Sequence, residues 1–402
     1  MTQRGLSTFF EKFLRKESLF LDKKVLQSNY TPETIPHRQE QIEQIASILA
    51  PCLRLEKPSN LFIYGKTGTG KTLTVKYTTS NINEIANKEN IPVKIYYVNC
   101  KLKKVADTEY RVLAQIIRDL GVEIPSTGLP TEELYKVFFD IIDRRKQVVI
   151  LVLDEIDQLV KKIGDELLYN LTRINSDLKN AQLSIIGISN DLVFTETIDP
   201  RVKSSLSEEE IVFPPYNAIQ IKDILVQRAK EAFKEGVLEE GVLEKCAAYA
   251  AREHGDARRA LELLRVAGEI AERNGFNVVK IEHIDEAEDK IDRDKIIDAV
   301  NTQPKQFQAV LYSILTIYKT KKSFMFTGEA YDIYKEICFK TGLRPLTQRR
   351  VSDILSELDM LGIINAKVIS KGRYGRTREI SLGISKSTEA VIKKILENNL
   401  AI

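Results

Sequence analysis

The sequence predicts an α/β fold: a parallel sheet flanked by helices, then an all-helical segment, then a small C-terminal domain of helices and a hairpin. Three observations carry that expectation. Short, continuously apolar runs alternate with helical patterns over residues 1–213. A Gly-rich loop joins the first run to a helix. After Pro214 and Pro215 the periodicity becomes purely helical.

The runs are residues 60–64 (NLFIY), 93–98 (VKIYYV), 148–153 (VVILVL), 183–188 (LSIIGI) and 210–213. Unbroken Val, Ile and Leu suit strands covered on both faces, as in parallel sheets. The helical patterns between them supply the crossovers that parallel strands need. The adjacent prolines mark a boundary. From there to residue 300, sets such as Leu243, Cys246, Ala247 and Ala250, or Ala260, Leu261, Leu264 and Ala267, give amphipathic helices. The expected domains are thus 1–213, 214–300 and 301–402.

In the last domain Thr302 and Pro304 suggest a helix start, with Phe307, Val310, Leu311, Ile314 and Leu315 as its apolar stripe. A second helix is expected after Thr327. Thr347 is expected to cap a third, with Val351, Ile354, Leu355 and Leu358 inward and Gly362 as its stop. Two short strands then flank the basic turn KGRYGR. Three helices and a hairpin make the winged-helix plan, a helix-turn-helix variant.

Composition narrows the class. The chain has 402 residues, 43% hydrophobic, enough for two or three cores. No apolar run approaches the ~18 residues of a membrane span. The first residues, MTQRGLSTFFEKFLRK, lack the apolar centre of a signal peptide, so a cytoplasmic protein is expected. Cys52, Cys100, Cys246 and Cys338 are far apart and form no CxxC pair, which argues against a zinc or disulfide framework. Residues 300–402 hold 17 Lys and Arg against 9 Asp and Glu, a charge of +8, and the remainder carries −5. A basic block on an acidic body suits a polyanion partner.

Gly65-Lys66-Thr67-Gly68-Thr69-Gly70-Lys71-Thr72 fits the phosphate-binding pattern GxxxxGK[ST], after a strand and before a helix, as that pattern requires. Its backbone N–H groups and helix N-terminus favour phosphate, and contacts are expected from all eight residues and Leu73. Lys71 is expected at the outer phosphates and Thr72 on Mg²⁺. The third run ends in Asp154-Glu155: Asp154 is the second magnesium candidate and Glu155 the group to polarise a water, with Asp157 a helix-start carboxylate. Asn190, after the fourth run, is placed to orient that water. Arg258, in Gly255-Asp-Ala-Arg258, and Arg201, in Asp199-Pro-Arg201, are candidates for phosphate charge in cis and in trans; surface ion pairing is the alternative for both.

These motifs, in this order and joined to a winged helix, resemble an AAA+ ATPase. Over nearly the whole length the chain resembles the archaeal replication initiators of the origin-recognition-complex/cell-division-cycle family. The resemblance implies ATP or ADP with Mg²⁺, and slow turnover. It implies base-side contacts from the Ile35-Pro-His-Arg38 box and Pro215-Tyr216, with Tyr30 among them. It also implies DNA contacts from an insert between the second and third runs, for which Lys103, Lys104, Thr108, Tyr110 and Arg111 are candidates. Val112, Leu113, Ile116 and Ile117 have core spacing, so two packed helices are the alternative there.

In the winged helix, Gln348, Arg349 and Arg350 open the third helix, the end that enters a major groove. Lys371, Arg373, Tyr374, Arg376 and Arg378 crowd the hairpin and suit the minor groove or phosphates. Double-stranded origin DNA is the expected partner. By resemblance, so are a paralogous initiator on adjacent DNA and a replicative helicase, in the nucleoid and away from membranes. On the residues alone, a DNA-translocating motor of the branch-migration type and a signalling ATPase with a protein-binding winged helix stay open.

Overall fold

Each of the five apolar runs forms a parallel strand: β1 (Leu61–Tyr64), β2 (Val93–Asn99), β3 (Gln147–Asp154), β4 (Ala181–Ser189) and β5 (Glu209–Val212). The spatial order is β2-β3-β4-β1-β5. The computed structural model describes residues 17–28, 30–101, 108–125, 128–206, 209–321, 323–370 and 376–402, without the side chains of residues 195, 197, 370, 376, 386 and 387. It divides into two units, one ending at Ile284 and one beginning at Asp285.

In the first unit the alternation along β3 shows why its run is apolar throughout. Val148, Ile150 and Val152 pack with Ile45, Val75 and Ile82 on one face. Val149, Leu151 and Leu153 pack with Leu113, Phe138 and Leu171 on the other. Both faces are therefore covered, and all eight residues of the strand are buried. Tyr64 is in register with Ser189, and Asp154 with Ile188. The C-terminal ends of β1, β4 and β3 thus lie side by side, the edge where open α/β sheets bind ligands.

The segment between β2 and β3 holds two helices, Glu109–Asp119 and Thr131–Ile142. Val112, Leu113, Ile116 and Ile117 join Leu134, Phe138 and Ile142 in the core on that face. Their spacing is core spacing, the alternative that the sequence left open. The helices Ala218–Ala232, Val242–Arg252 and Ala257–Asn274 follow β5. Asn217 and Gln220 start the first of them with a reciprocal capping box.

The second unit packs the helices Lys305–Lys321, Thr327–Thr341, Gln348–Met360 and Lys386–Leu400 with a three-stranded sheet of β6 (Met325–Phe326), β8 (Arg376–Leu382) and β7 (Ile364–Ser370), in that order. Leu311, Ile314, Tyr334, Leu355, Ile380 and Ile392 are in its core. Thr347 caps the Gln348 helix as expected, accepting from the Arg350 N–H. Thr302 departs from expectation. Its hydroxyl donates to the carbonyls of Asp298 and Ala299 at 3.1 and 3.0 Å, so it ends the Ile281–Thr302 helix rather than starting the next. β6 and the Lys386–Leu400 helix go beyond the sequence expectation, although Ser385 as cap and Ile392, Leu396 and Leu400 at helical spacing carry a signal for the helix. Among the described residues no helix is long and apolar enough to cross a membrane.

Candidate functional site

The loop after β1 turns on backbone conformations that glycine adopts cheaply. Gly70 has φ +90° and N-caps the Lys71–Lys88 helix. A Cβ on Gly65 would lie 2.4 Å from the Phe213 carbonyl oxygen, so the loop can leave β1 only through glycine. Lys66 and Thr67 are exposed, while Thr69 is buried and donates to the Lys66 carbonyl at 2.9 Å.

Lys71 is 4% exposed. Its ammonium donates to the carbonyls of Gly65 and Lys66 at 2.7 and 2.8 Å and to Asn190 Oδ1 at 2.9 Å. Burial, with help from the nearby Arg258 charge, lowers its pKa from 10.5 to about 8. The strand-end register thus joins Lys71 and Asn190, which are 119 positions apart in sequence.

Asp154 Oδ2 accepts the Thr72 hydroxyl at 2.9 Å and also the Tyr97 hydroxyl, and Oδ1 accepts the Glu155 N–H at 3.0 Å. Burial, followed by the Asp154 charge, pushes the Tyr97 hydroxyl pKa up, so Tyr97 is a standing donor. Glu155 precedes the Ile156–Ile163 helix in a left-handed conformation, φ +57°, and pairs with Lys101 at 3.4 Å. Asp157, in the first turn, is 2% exposed and accepts from the Ser189 hydroxyl at 3.3 Å and the Asn190 N–H at 3.4 Å. Its place in the first helical turn is the helix-start position expected of it, and its bonds to Ser189 and Asn190 go further, fixing the β4 end beside the β3 end. Lys71, Thr72, Asp154, Glu155, Asn190 and Arg258 line one polar cavity.

A second, more apolar cavity adjoins it through Gly68, Gly70 and Thr72. Tyr30, Ile35, Leu73, Tyr216 and Leu261 are among its walls. Arg38 is not among them. It is 2% exposed, its Nε donates to the Thr69 carbonyl at 2.9 Å and its Nη2 to the Pro214 carbonyl at 2.6 Å. Its guanidinium stacks on Tyr216, 3.9 Å from the ring centre. Arg38 thereby ties the Gly-rich loop to the Pro214-Pro215 junction. Arg201 stands apart from both cavities. Its Nε and Nη2 grip Asp199 at 3.1 and 2.8 Å, the ion pair weighed as its alternative. That pairing holds the Asp199 carboxyl down at about 2.

Among the insert candidates, Thr108 accepts from the Arg111 N–H as an N-cap, and the Tyr110 hydroxyl donates to the Pro125 carbonyl at 2.8 Å. Arg111 is exposed. Lys103 and Lys104 lie outside the described residues, as do Lys371, Arg373, Tyr374 and the Arg376 side chain.

In the second unit Gln348, Arg349 and Arg378 come together on one concave surface with Thr327, Ser352 and Thr377. Arg378 is half-buried and donates to the Ser356 hydroxyl at 2.6 Å, which anchors the β8 strand to the Gln348 helix. Arg350 is exposed and pairs with Asp353 at 3.5 Å. The surface offers donors of the kind that read base edges and phosphates.

Sequence reasoning missed three residues of the first unit. Tyr97 sits mid-strand in a run that reads only as β structure. Asp256 accepts from the N–H groups of Arg258 and Arg259 and lies against Gly68, so it positions both the Arg258 helix and the Gly-rich loop. Lys101 follows β2 with no motif around it. Only the GD pair ahead of Arg258 gives a sequence signal.

Three family models match in chain order: an AAA domain over residues 54–193, a Cdc6 AAA+ ATPase-type lid domain over 222–289, and a CDC6 C-terminal winged helix domain over 298–390. The ORC1-type DNA replication protein of Pyrococcus furiosus is 55% identical over 404 aligned positions, covering 100% of this chain and 95% of that protein. The protein of that name from Pyrococcus abyssi is 56% identical over 387 positions, 95% of this chain and 92% of that one. Among solved structures, the Aeropyrum pernix ORC1 protein in complex with DNA aligns with a TM-score of 0.83 at 45% identity, covering 96% of this chain and 98% of that one. A nucleotide-binding AAA+ domain with its lid and a winged helix are therefore all present, and the chain belongs to the ORC1/Cdc6 family of DNA replication proteins, which are AAA+ ATPases.

Proposed function

We propose that this chain initiates DNA replication by binding origin duplex DNA sequence-specifically, with ATP and ADP as the two settings of a switch that governs helicase recruitment. The observation that carries the DNA reading is the concave surface shared by Gln348, Arg349 and Arg378. A helix start and a wing strand converge there, in the unit that holds the excess positive charge. Gln348 suits adenine and the arginines guanine or phosphate. Lys371, Arg373, Tyr374 and Arg376 extend the grip along the wing, and Lys103, Lys104 and Arg111 offer a second contact from the insert. Contact at two places favours a bent or underwound duplex. The A. pernix relative whose structure holds DNA supports this reading.

The nucleotide site fits its ligand on the residues present. An ammonium, a guanidinium and a helix N-terminus surround the polar cavity, and an apolar cavity adjoins it for a base. The Thr72 hydroxyl and Asp154 carboxylate, 2.9 Å apart, are hard oxygen donors that suit Mg²⁺. When bound, the metal neutralises charge on the outer phosphate oxygens. Lys71 would give up carbonyl acceptors for phosphate oxygens, and Asn190, released from Lys71, would orient the attacking water. Glu155 would take a proton from that water once free of Lys101. Arg258 reads the phosphates from the lid, and Arg201 would act only on a neighbouring subunit, after leaving Asp199. Arg38 positions the Gly-rich loop. The proposed domains are 1–213, 214–300 and 301–402, in a nucleoid-associated cytoplasmic protein with a paralogue on adjacent DNA.

The test is nuclease footprinting on DNA of the source genome with ATP or ADP present. Compact protected patches near an origin, abolished by changing Arg373 and Arg376 together to Ala, are the expected result. Uniform protection, or none, overturns the reading.

A further inference from the structure

One wall of the apolar cavity differs from the rest. Most of the others belong to the Lys71–Lys88 helix, the Gly-rich loop and the helices after β5. Residues 30–37 supply this one, chiefly through Tyr30, Pro32, Thr34 and Ile35, and they form neither helix nor strand. Among the described residues, the segment's one backbone–backbone hydrogen bond runs from the Tyr30 N–H to the Gln27 carbonyl at 3.2 Å.

Side chains hold the segment instead, and they do so in a regular pattern. The Tyr30 hydroxyl donates to Glu231 Oε2 at 2.8 Å, Gln227 Nε2 donates to the Thr34 hydroxyl at 2.7 Å, and His37 Nε2 meets Asp223 Oδ2 at 2.9 Å. Asp223, Gln227 and Glu231 are four residues apart on the Ala218–Ala232 helix, so they form one stripe along it. The segment runs along that stripe in the opposite direction. Beyond its far end Arg38 is buried and bonded to Thr69 and Pro214. Before its near end Glu272 accepts the Leu19 N–H at 2.9 Å and pairs with Lys23 at 3.0 Å. Both ends are therefore anchored, and the middle is fastened by three exposed bonds. A wall without a backbone ladder opens at lower free energy than a helix does.

We propose that residues 30–37 are a strap that gates the nucleotide site, and that its latch to Asp223, Gln227 and Glu231 sets how fast a nucleotide enters and leaves. This rests on the nucleotide reading above. None of the three bonds is made to a nucleotide, so the latch acts alike on the loaded and the free site. Weakening it speeds entry and exit together and leaves the affinity unchanged. Loss of a direct contact would instead speed exit alone.

The experiment follows association and dissociation of tritiated ADP on the full chain by filter binding. It compares wild type with D223A, with D223A/E231A, and with H37C/D223C before and after treatment with a short bis-methanethiosulfonate cross-linker. Asp223, Glu231 and His37 lie off the cavity wall, and the four native cysteines are buried, so the added pair is the reactive one. D223A should raise both rates about threefold and the double variant about tenfold, the scale of one and two exposed bonds, with the Kd unchanged. H37C/D223C should match D223A until it is cross-linked. Both rates should then fall well below those of wild type and recover when dithiothreitol reverses the link. That last comparison needs no loss of the strap's packing and stands even if D223A/E231A fails to fold. Wild-type rates in either D223A or the cross-linked protein, or faster exit with a matching loss of affinity, overturn the proposal and leave the nucleotide reading standing. A wild type that binds no ADP overturns both.

Discussion

Lys71 shows how a single residue can be ready for a ligand and cost stability while it waits. Three acceptors hold its ammonium, but burial still brings its pKa from 10.5 down to about 8. A folded-state value below the unfolded one means the unfolded chain binds more protons between those limits. The stability cost is therefore fully present below about pH 8 and is relieved as pH rises towards 10.5. A polyphosphate beside the ammonium favours its charged form. Nucleotide binding at pH 8 should accordingly take up protons, and affinity should fall as pH rises further. Calorimetric titration of ADP in buffers of different ionisation enthalpy reads this directly. Proton release, or no exchange at all, would contradict it. The spacing GxxxxGK[ST] is enough to single out Lys71, because the motif is local. It carries no information about the hydroxyl of Tyr97, which reaches Asp154 across 57 positions.

At the scale of elements, the helix that carries Arg258 depends on the residue that caps it. Asp256 accepts from the N–H groups of Arg258 and Arg259 and lies against Gly68. Asp256→Ala should cost about 1–2 kcal/mol in denaturant unfolding, the usual worth of an N-cap. It should also weaken ADP binding, since both the loop and Arg258 lose their positioning. Asp256→Asn, which keeps a capping oxygen, should recover most of the stability; recovery no better than that of Ala would show that the cap is not what matters. The capping signals at Asn217 and Thr347 are equally local, and Thr347 is legible as a cap from the sequence alone. The insert is less legible. Thr108 and Tyr110 stand out in the sequence as polar residues in a stretch expected to touch DNA, and the fold gives both local bonds, a cap and a link to Pro125. A polar residue at a helix start is ambiguous until its neighbours are known, because capping and recognition use the same side chains.

For the molecule as a whole, the charge asymmetry carries a quantitative consequence. If the winged-helix unit grips phosphates through Arg349 and Arg350, changing both to Ala should lower the slope of log affinity against log salt by roughly 2, about one for each phosphate released. Fluorescence anisotropy of a duplex titrated at several salt concentrations measures it. An unchanged slope with weaker binding at every salt would mean that these arginines act on base edges or on the fold instead. The same measurement bears on the signalling alternative, which predicts no salt-dependent duplex binding.

The sequence by itself determined the parallel sheet, the nucleotide loop, the helical segment and the winged helix, because each rests on short-range periodicity, a fixed motif or a terminal cap. What only the tertiary structure decided are relations between residues distant in the chain. The order β2-β3-β4-β1-β5 brings Gly65, Asp154 and Asn190 to one edge. The fold turns Arg38 into a clamp between the Gly-rich loop and Pro214, and engages Arg201 with Asp199. It also lays the Arg228 guanidinium over the Tyr30 ring, with Nη1 buried and unpaired among the described residues. A motif fixes the neighbours of a residue along the chain. Burial and pairing depend on what the rest of the fold places against it, and that is not written in any local stretch.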